Sequence, residues 1–166
     1  AQKPTIGRDD AGNAIVAWTQ SDGLSTSLAV SRYIYSRDAG LSRWTDAGIL
    51  DDAGSPNFPR IAVDPSGYAV VVWQKNSPNE VWAVACGALS DTWTSPVKVS
   101  AGLTGANDSP DVALDGQGRA TAVWRRYDAG YSLWASSWDR TTPWDAGSWT
   151  PPVEIGVWDA GVTGFI

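Results

Sequence analysis

The side chains able to do chemistry are few in this chain. It has 166 residues and no His. That excludes a Ser-His-Asp triad, a Cys-His pair and a His-ligated zinc or haem. The single cysteine, Cys86, cannot form an internal disulfide. It sits in VWAVACG, an apolar run, and reads as a buried small hydrophobe instead of a nucleophile. Glycoside hydrolysis needs two carboxyl groups facing across a cleft. Only two glutamates occur, Glu80 and Glu154, and both fall in strand-like stretches. Sialidase-like chemistry needs arginines converged on a carboxylate, with a tyrosine nucleophile. Arg125, Arg126 and Tyr127 have the right types, but they are sequence neighbours and not a converged site. No enzyme is expected.

Groups that bind are more plentiful. There are 11 Trp. Trp144 and Trp158 lie in loop-like contexts, TTPWDAG and GVWDAG, where an indole can stack on the C–H face of a sugar. Polar loops add Arg125, Arg126, Tyr127, Asn57, Asn107 and Asp108. Planar Arg and Asn groups fork onto vicinal hydroxyls, so these eight residues form the expected ligand-binding set. The triplet DAG recurs seven times. Carboxylates in turns suit calcium, yet no copy has the D-x-[DN]-x-[DN]-G spacing. The triplets read as turns, and no metal or cofactor is expected.

Twelve Lys and Arg stand against 18 Asp and Glu, a net charge of −6. An acidic chain is poorly suited to phosphate backbones and anionic membranes, so nucleic acid is not an expected partner. No apolar run approaches the roughly 20 residues that span a bilayer, so no membrane insertion is expected. No signal peptide is visible, and the chain opens at Ala1-Gln2 without Met, as a processed or excised form would.

The elements that must position these groups repeat. PTIGRDDAGNAIVAW (4–18), PRIAVDPSGYAVVVW (59–73) and PDVALDGQGRATAVW (110–124) align without gaps. Each keeps an aliphatic residue, then Asp (Asp9, Asp64, Asp115), Gly (Gly12, Gly67, Gly118), Ala (Ala14, Ala69, Ala120) and Trp (Trp18, Trp73, Trp124). SLAVSRY (27–33), EVWAVAC (80–86) and SLWASSW (132–138) follow, and then a Trp-Thr pair: Trp44-Thr45, Trp93-Thr94 and Trp149-Thr150. Two spaced apolar residues come next, Val97 and Val99 or Val153 and Ile155; the first copy is irregular, with Gly48 and Leu50. The repeats run 4–58, 59–109 and 110–166 in a single repeat domain, and the chain ends where a fourth would begin.

Each repeat reads as four short strands. The first is expected to start at the Pro, and the D-x-x-G step is expected to be a tight turn with Gly at positive φ. The second strand is almost continuously apolar, as in AVVVW, which predicts burial on both faces. The six repeated Trp are expected in the core, and Trp82 and Trp134 share one structural position. Between the second and third strands, TQSDGLST (19–26), QKNSPN (74–79) and RRYDAGY (125–131) read as loops. So do 51–58, 101–108 and 156–165, which lead to the next repeat. Four-stranded units buried on both faces predict an all-β chain of three antiparallel β-propeller blades. A β-trefoil, also threefold, is the alternative.

The pattern P-x-[IV]-A-x-D-x-x-G-x-A-x-x-x-W, followed by [LV]-W-A and W-[ST]-x-P-V-x-[LI], resembles tandem repeats of bacterial secreted and surface proteins, which are extracellular β-propeller-like repeats. The resemblance covers nearly the whole chain and implies an extracellular or cell-surface location. SRDAGLSRW (36–44) is similar to the Asp-box of sialidase-type propellers, one residue too long, where it forms a structural turn. Propellers close with roughly 4–8 blades, so three would leave raw edges. Two chains closing into six blades, or a longer parent, would remove them, and self-association is expected. The functional expectation is an extracellular carbohydrate-binding, lectin-like or adhesin-like module whose partner is a cell-surface glycan. The alternative is a structural or protein-interaction part of a surface assembly.

Overall fold

A computed structural model describes residues 1–38, 40–88, 90–142 and 148–157. The first repeat forms β1 (Gln2–Arg8), β2 (Ala14–Ser21), β3 (Thr26–Ile34), β4 (Arg43–Trp44) and β5 (Gly48–Asp51). The second forms β6 (Pro56–Val63), β7 (Ala69–Asn76), β8 (Asn79–Cys86) and β9 (Val97–Lys98). The third forms β10 (Ala106–Leu114), β11 (Arg119–Tyr127), β12 (Tyr131–Asp139) and β13 (Val153–Val157). Each repeat is its own antiparallel meander, and no helix occurs among the described residues. The irregular fourth unit of the first copy is split in two, with β4 and β5 both paired to β3. Every strand finds its partners inside its own repeat, unlike a trefoil, whose hairpins share one barrel.

The conserved D-x-x-G step has one cause in all three copies. Asp64 N donates to Tyr68 O, Gly67 N donates to Asp64 O, and the Asp64 carboxylate accepts from Ser66 N and Tyr68 N. Gly12, Gly67 and Gly118 sit at φ of 95°, 92° and 80°, a region that only Gly enters without strain. The Trp-Thr pair also has a clear role. Thr45, Thr94 and Thr150 each donate their N–H to a carbonyl of the third strand and accept an N–H of the same strand residue on Oγ1. One threonine thus clamps the third strand of each sheet ahead of its outer partner.

The prolines do not begin their strands. β6 starts at Pro56 and β10 at Ala106, and Pro4, Pro59 and Pro110 lie inside bulges where the pairing register shifts. The residues before them, Lys3, Phe58 and Ser109, have φ of 52°, 49° and 52°. A bulge tolerates the missing proline donor, so pairing resumes on both sides. The segments read as loops are correspondingly shorter, because the hairpins zip further. Between β11 and β12 only Asp128, Ala129 and Gly130 are left.

The core lies between sheets. Ala17 and Leu28 of the first sheet pack on Val71, Trp73 and Val84 of the middle sheet. Val70, Val72 and Ala83, on the opposite face, pack on Ala120, Ala122 and Trp124 of the last. β7 is therefore buried at seven of its eight positions, while β11 alternates between buried and exposed. The repeated Trp do not all reach the core. Trp73, Trp124 and Trp149 are buried, Trp18 and Trp93 are half-buried, and Trp44 is 52% exposed. Trp73 and Trp124 each face the preceding sheet, whereas among the described residues Trp18 has no preceding sheet to face. Cys86 is buried, as its apolar run predicts.

Candidate functional site

Four of the expected binding residues meet at one end of the last sheet. Arg125, Arg126 and Tyr127 are strand residues at the end of β11, so their side chains alternate between its two faces. Arg125 donates from Nε and Nη2 to Asp108 on β10, at 2.8 and 3.0 Å. This bidentate pair holds the guanidinium above its ordinary pKa. The same guanidinium stands 4.9 Å from the centre of the Tyr131 ring. Tyr131 opens β12 directly opposite Tyr127, and the two rings lie 4.9 Å apart at 52°. They are 46% and 49% exposed. The result is an apolar shelf of two half-bare phenols beside an oriented arginine.

Arg126 turns to the other face. Its Nε donates to Thr104 O at 2.8 Å, Nη2 reaches Thr104 Oγ1 and Asp128, and its carbon Cζ stands 5.3 Å from the Trp134 ring centre. Gly105 makes this possible. It has φ of 78°, and a Cβ there would collide with the Tyr127 carbonyl. Only glycine lets the incoming linker lie this close to the end of β11.

The other candidates are placed differently. Asn107 is buried, takes the Trp124 indole N–H on Oδ1 at 3.1 Å and donates to Gly105 O. It supports the core and presents nothing outward. Asn57 opens onto Lys3, whose Nζ donates to its Oδ1 at 2.7 Å and lies 3.5 Å from the Phe58 ring centre. No hydrogen bond joins it to the Arg125 group among the described residues. Trp144 and Trp158 lie outside the described residues. Tyr131, Thr104 and Asp128 were missed by sequence reasoning. Tyr131 was legible in principle, because a hairpin zipped to its tip places it opposite Tyr127.

Trp73, the counterpart of Trp124 one sheet earlier, also has a buried acceptor for its indole. Asp51 accepts the Trp73 indole N–H at 2.9 Å and pairs with Lys75 Nζ at 3.0 Å. Lys75 in turn stands 4.1 Å from the Trp82 ring centre, as Arg126 stands over Trp134. Trp82 and Trp134 thus occupy one structural position, each beneath a cation two residues past the core Trp. Among the described residues no three His, Cys, Asp or Glu side chains gather as metal ligands would. No protein-family model matches the chain, and no curated protein matches it.

Proposed function

We propose that the chain is a non-enzymatic carbohydrate-binding module built from β-propeller blades, acting outside the cell or at its surface. The observation that carries this reading is the Tyr127–Tyr131 shelf beside Arg125. Aromatic faces take the C–H face of a sugar ring, and a pre-oriented guanidinium takes hydroxyls with little entropy left to lose. Asp108 holds Nε and Nη2, which leaves Nη1 without a partner among the described residues. Trp144 and Trp158 remain in the proposed ligand set on their loop-like contexts alone. A glycan-array screen of folded protein tests the reading. Saturable hits are expected, and Tyr131→Ala should weaken them about tenfold or more, the scale of one lost aromatic contact. A silent array would overturn it.

A second reading, self-association into a closed ring, rests on Trp18. Its two counterparts bury themselves in the preceding sheet, and its own indole N–H turns back to Gln20 at 3.0 Å. A second copy placing its last sheet there would close six blades. Such a particle would have twice the 17.6 kDa chain mass.

A further inference from the structure

Two cations are buried among the described residues, Lys75 and Arg32. Lys75 has Asp51 as its counter-charge. Arg32, on β3, is only 6% exposed and, among the described residues, has no carboxylate within ion-pair distance. Its Nη2 donates to Ser90 O at 2.9 Å and touches Cys86 Sγ at 3.5 Å. Nε and Nη1 have no hydrogen-bond partner among the described residues. The Cys86 thiol does not supply the missing charge, because burial pushes its pKa up and keeps it protonated. A buried cation left this way is costly, and an incoming anion would relieve it.

Arg32 lines a groove of about 660 Å³ between the first and middle sheets. That volume is within the ordinary range for small-molecule sites. The groove lies where the first repeat departs from the others: Gly48 and Leu50, which line it, stand where the other copies have β-branched residues. Arg32 is equally unrepeated, since its counterparts are Ala85 and Ser137. Trp93 forms part of the wall, and the exposed carboxylates Asp46 and Asp91 lie at the rim.

We propose that this groove binds an acidic sugar, its carboxylate on the Arg32 guanidinium, its ring against Trp93 and its hydroxyls on Asp46 and Asp91. The sugar identity rests on the carbohydrate reading; the need for an anion does not. The test titrates the intact chain with glucuronate, glucose and N-acetylglutamate by calorimetry, with tryptophan fluorescence in parallel. Glucuronate is expected to bind saturably, and glucose at least about tenfold more weakly, because it lacks the carboxylate. Arg32→Gln should abolish the difference between the two, and Arg32→Lys should restore only part of it, because an ammonium has no fork. If Arg32→Gln does not fold, the wild-type comparison decides, together with a rise in melting temperature with glucuronate and none with glucose. Equal binding of glucose and glucuronate would overturn the proposal, as would glucuronate binding untouched by Arg32→Gln. Binding of N-acetylglutamate in place of glucuronate would overturn the sugar and keep the anion site. Loss of glucuronate binding with array hits that still depend on Tyr131 would overturn this site and spare the proposed function.

Discussion

At the residue scale, the chain places its polar groups where the sheets meet. Asp51 serves two neighbours at once, the Trp73 indole and the Lys75 ammonium, all three buried. Asp51→Ala would leave a buried cation and a buried N–H with nothing to meet. That should cost roughly 3–5 kcal/mol in urea unfolding, the scale for breaking one side of a buried ion pair. A loss below about 1 kcal/mol would mean that water reaches Lys75. Tyr68 gives a pH prediction. Burial above all pushes its phenol up to about 12 from 10.0, and the Cys86 thiolate, once it forms at high pH, adds to the shift. The folded state therefore keeps a proton that the unfolded chain loses. Stability contributed by Tyr68 is complete below pH 10 and falls as pH rises toward about 12. Urea midpoints measured at pH 9 and 11 should diverge less in Tyr68→Phe than in the parent.

At the element scale, the repeated motifs divide their work. The D-x-x-G turns join the first two strands of each sheet, and the Trp-Thr pairs secure the third strand ahead of its outer partner. β9 is two residues long, so Thr94 carries contacts that a longer strand would share. Thr94→Val preserves shape but leaves the Ala85 N–H without its acceptor. It should cost about 1–3 kcal/mol, the price of an unsatisfied buried donor. An unchanged urea midpoint would show that water replaces the hydroxyl. The binding shelf is also an element-scale product. β11 and β12 pair residue for residue from Arg119–Asp139 to Tyr127–Tyr131, and this register sets the two tyrosines directly opposite each other.

At the scale of the whole molecule, the three sheets are alike in topology and unlike in burial. The middle sheet is covered twice, and the outer two are covered once. Trp18 separates a monomer from a ring. If a second copy covers it, Trp18→Ala should shift the native mass from dimer to monomer while melting changes little at low concentration. Trp73→Ala, by contrast, should cost roughly 3–5 kcal/mol in any state, because its cavity lies inside one chain. Light scattering of the parent across a concentration series reads the first outcome. A constant monomer mass would remove the ring.

By itself the sequence determined the repeat and what each repeat does locally. Asp and Gly four-residue turns, apolar second strands and the Trp-Thr pair are short-range signals, and short-range geometry answers to them. It also marked the first copy as irregular at Gly48 and Leu50, which is where the groove opens. Only the tertiary structure decided which repeated residues are equivalent in environment. Trp18, Trp73 and Trp124 hold the same repeat position, but their burial depends on a preceding sheet, and among the described residues Trp18 has none. Asn107 looked like a ligand residue and is a core acceptor, because the partner that claims it, Trp124, is 17 residues away. Arg32 drew no notice as one residue of SLAVSRY. Its meaning comes from the lack, among the described residues, of a carboxylate within ion-pair distance, and no linear pattern records an absence in space.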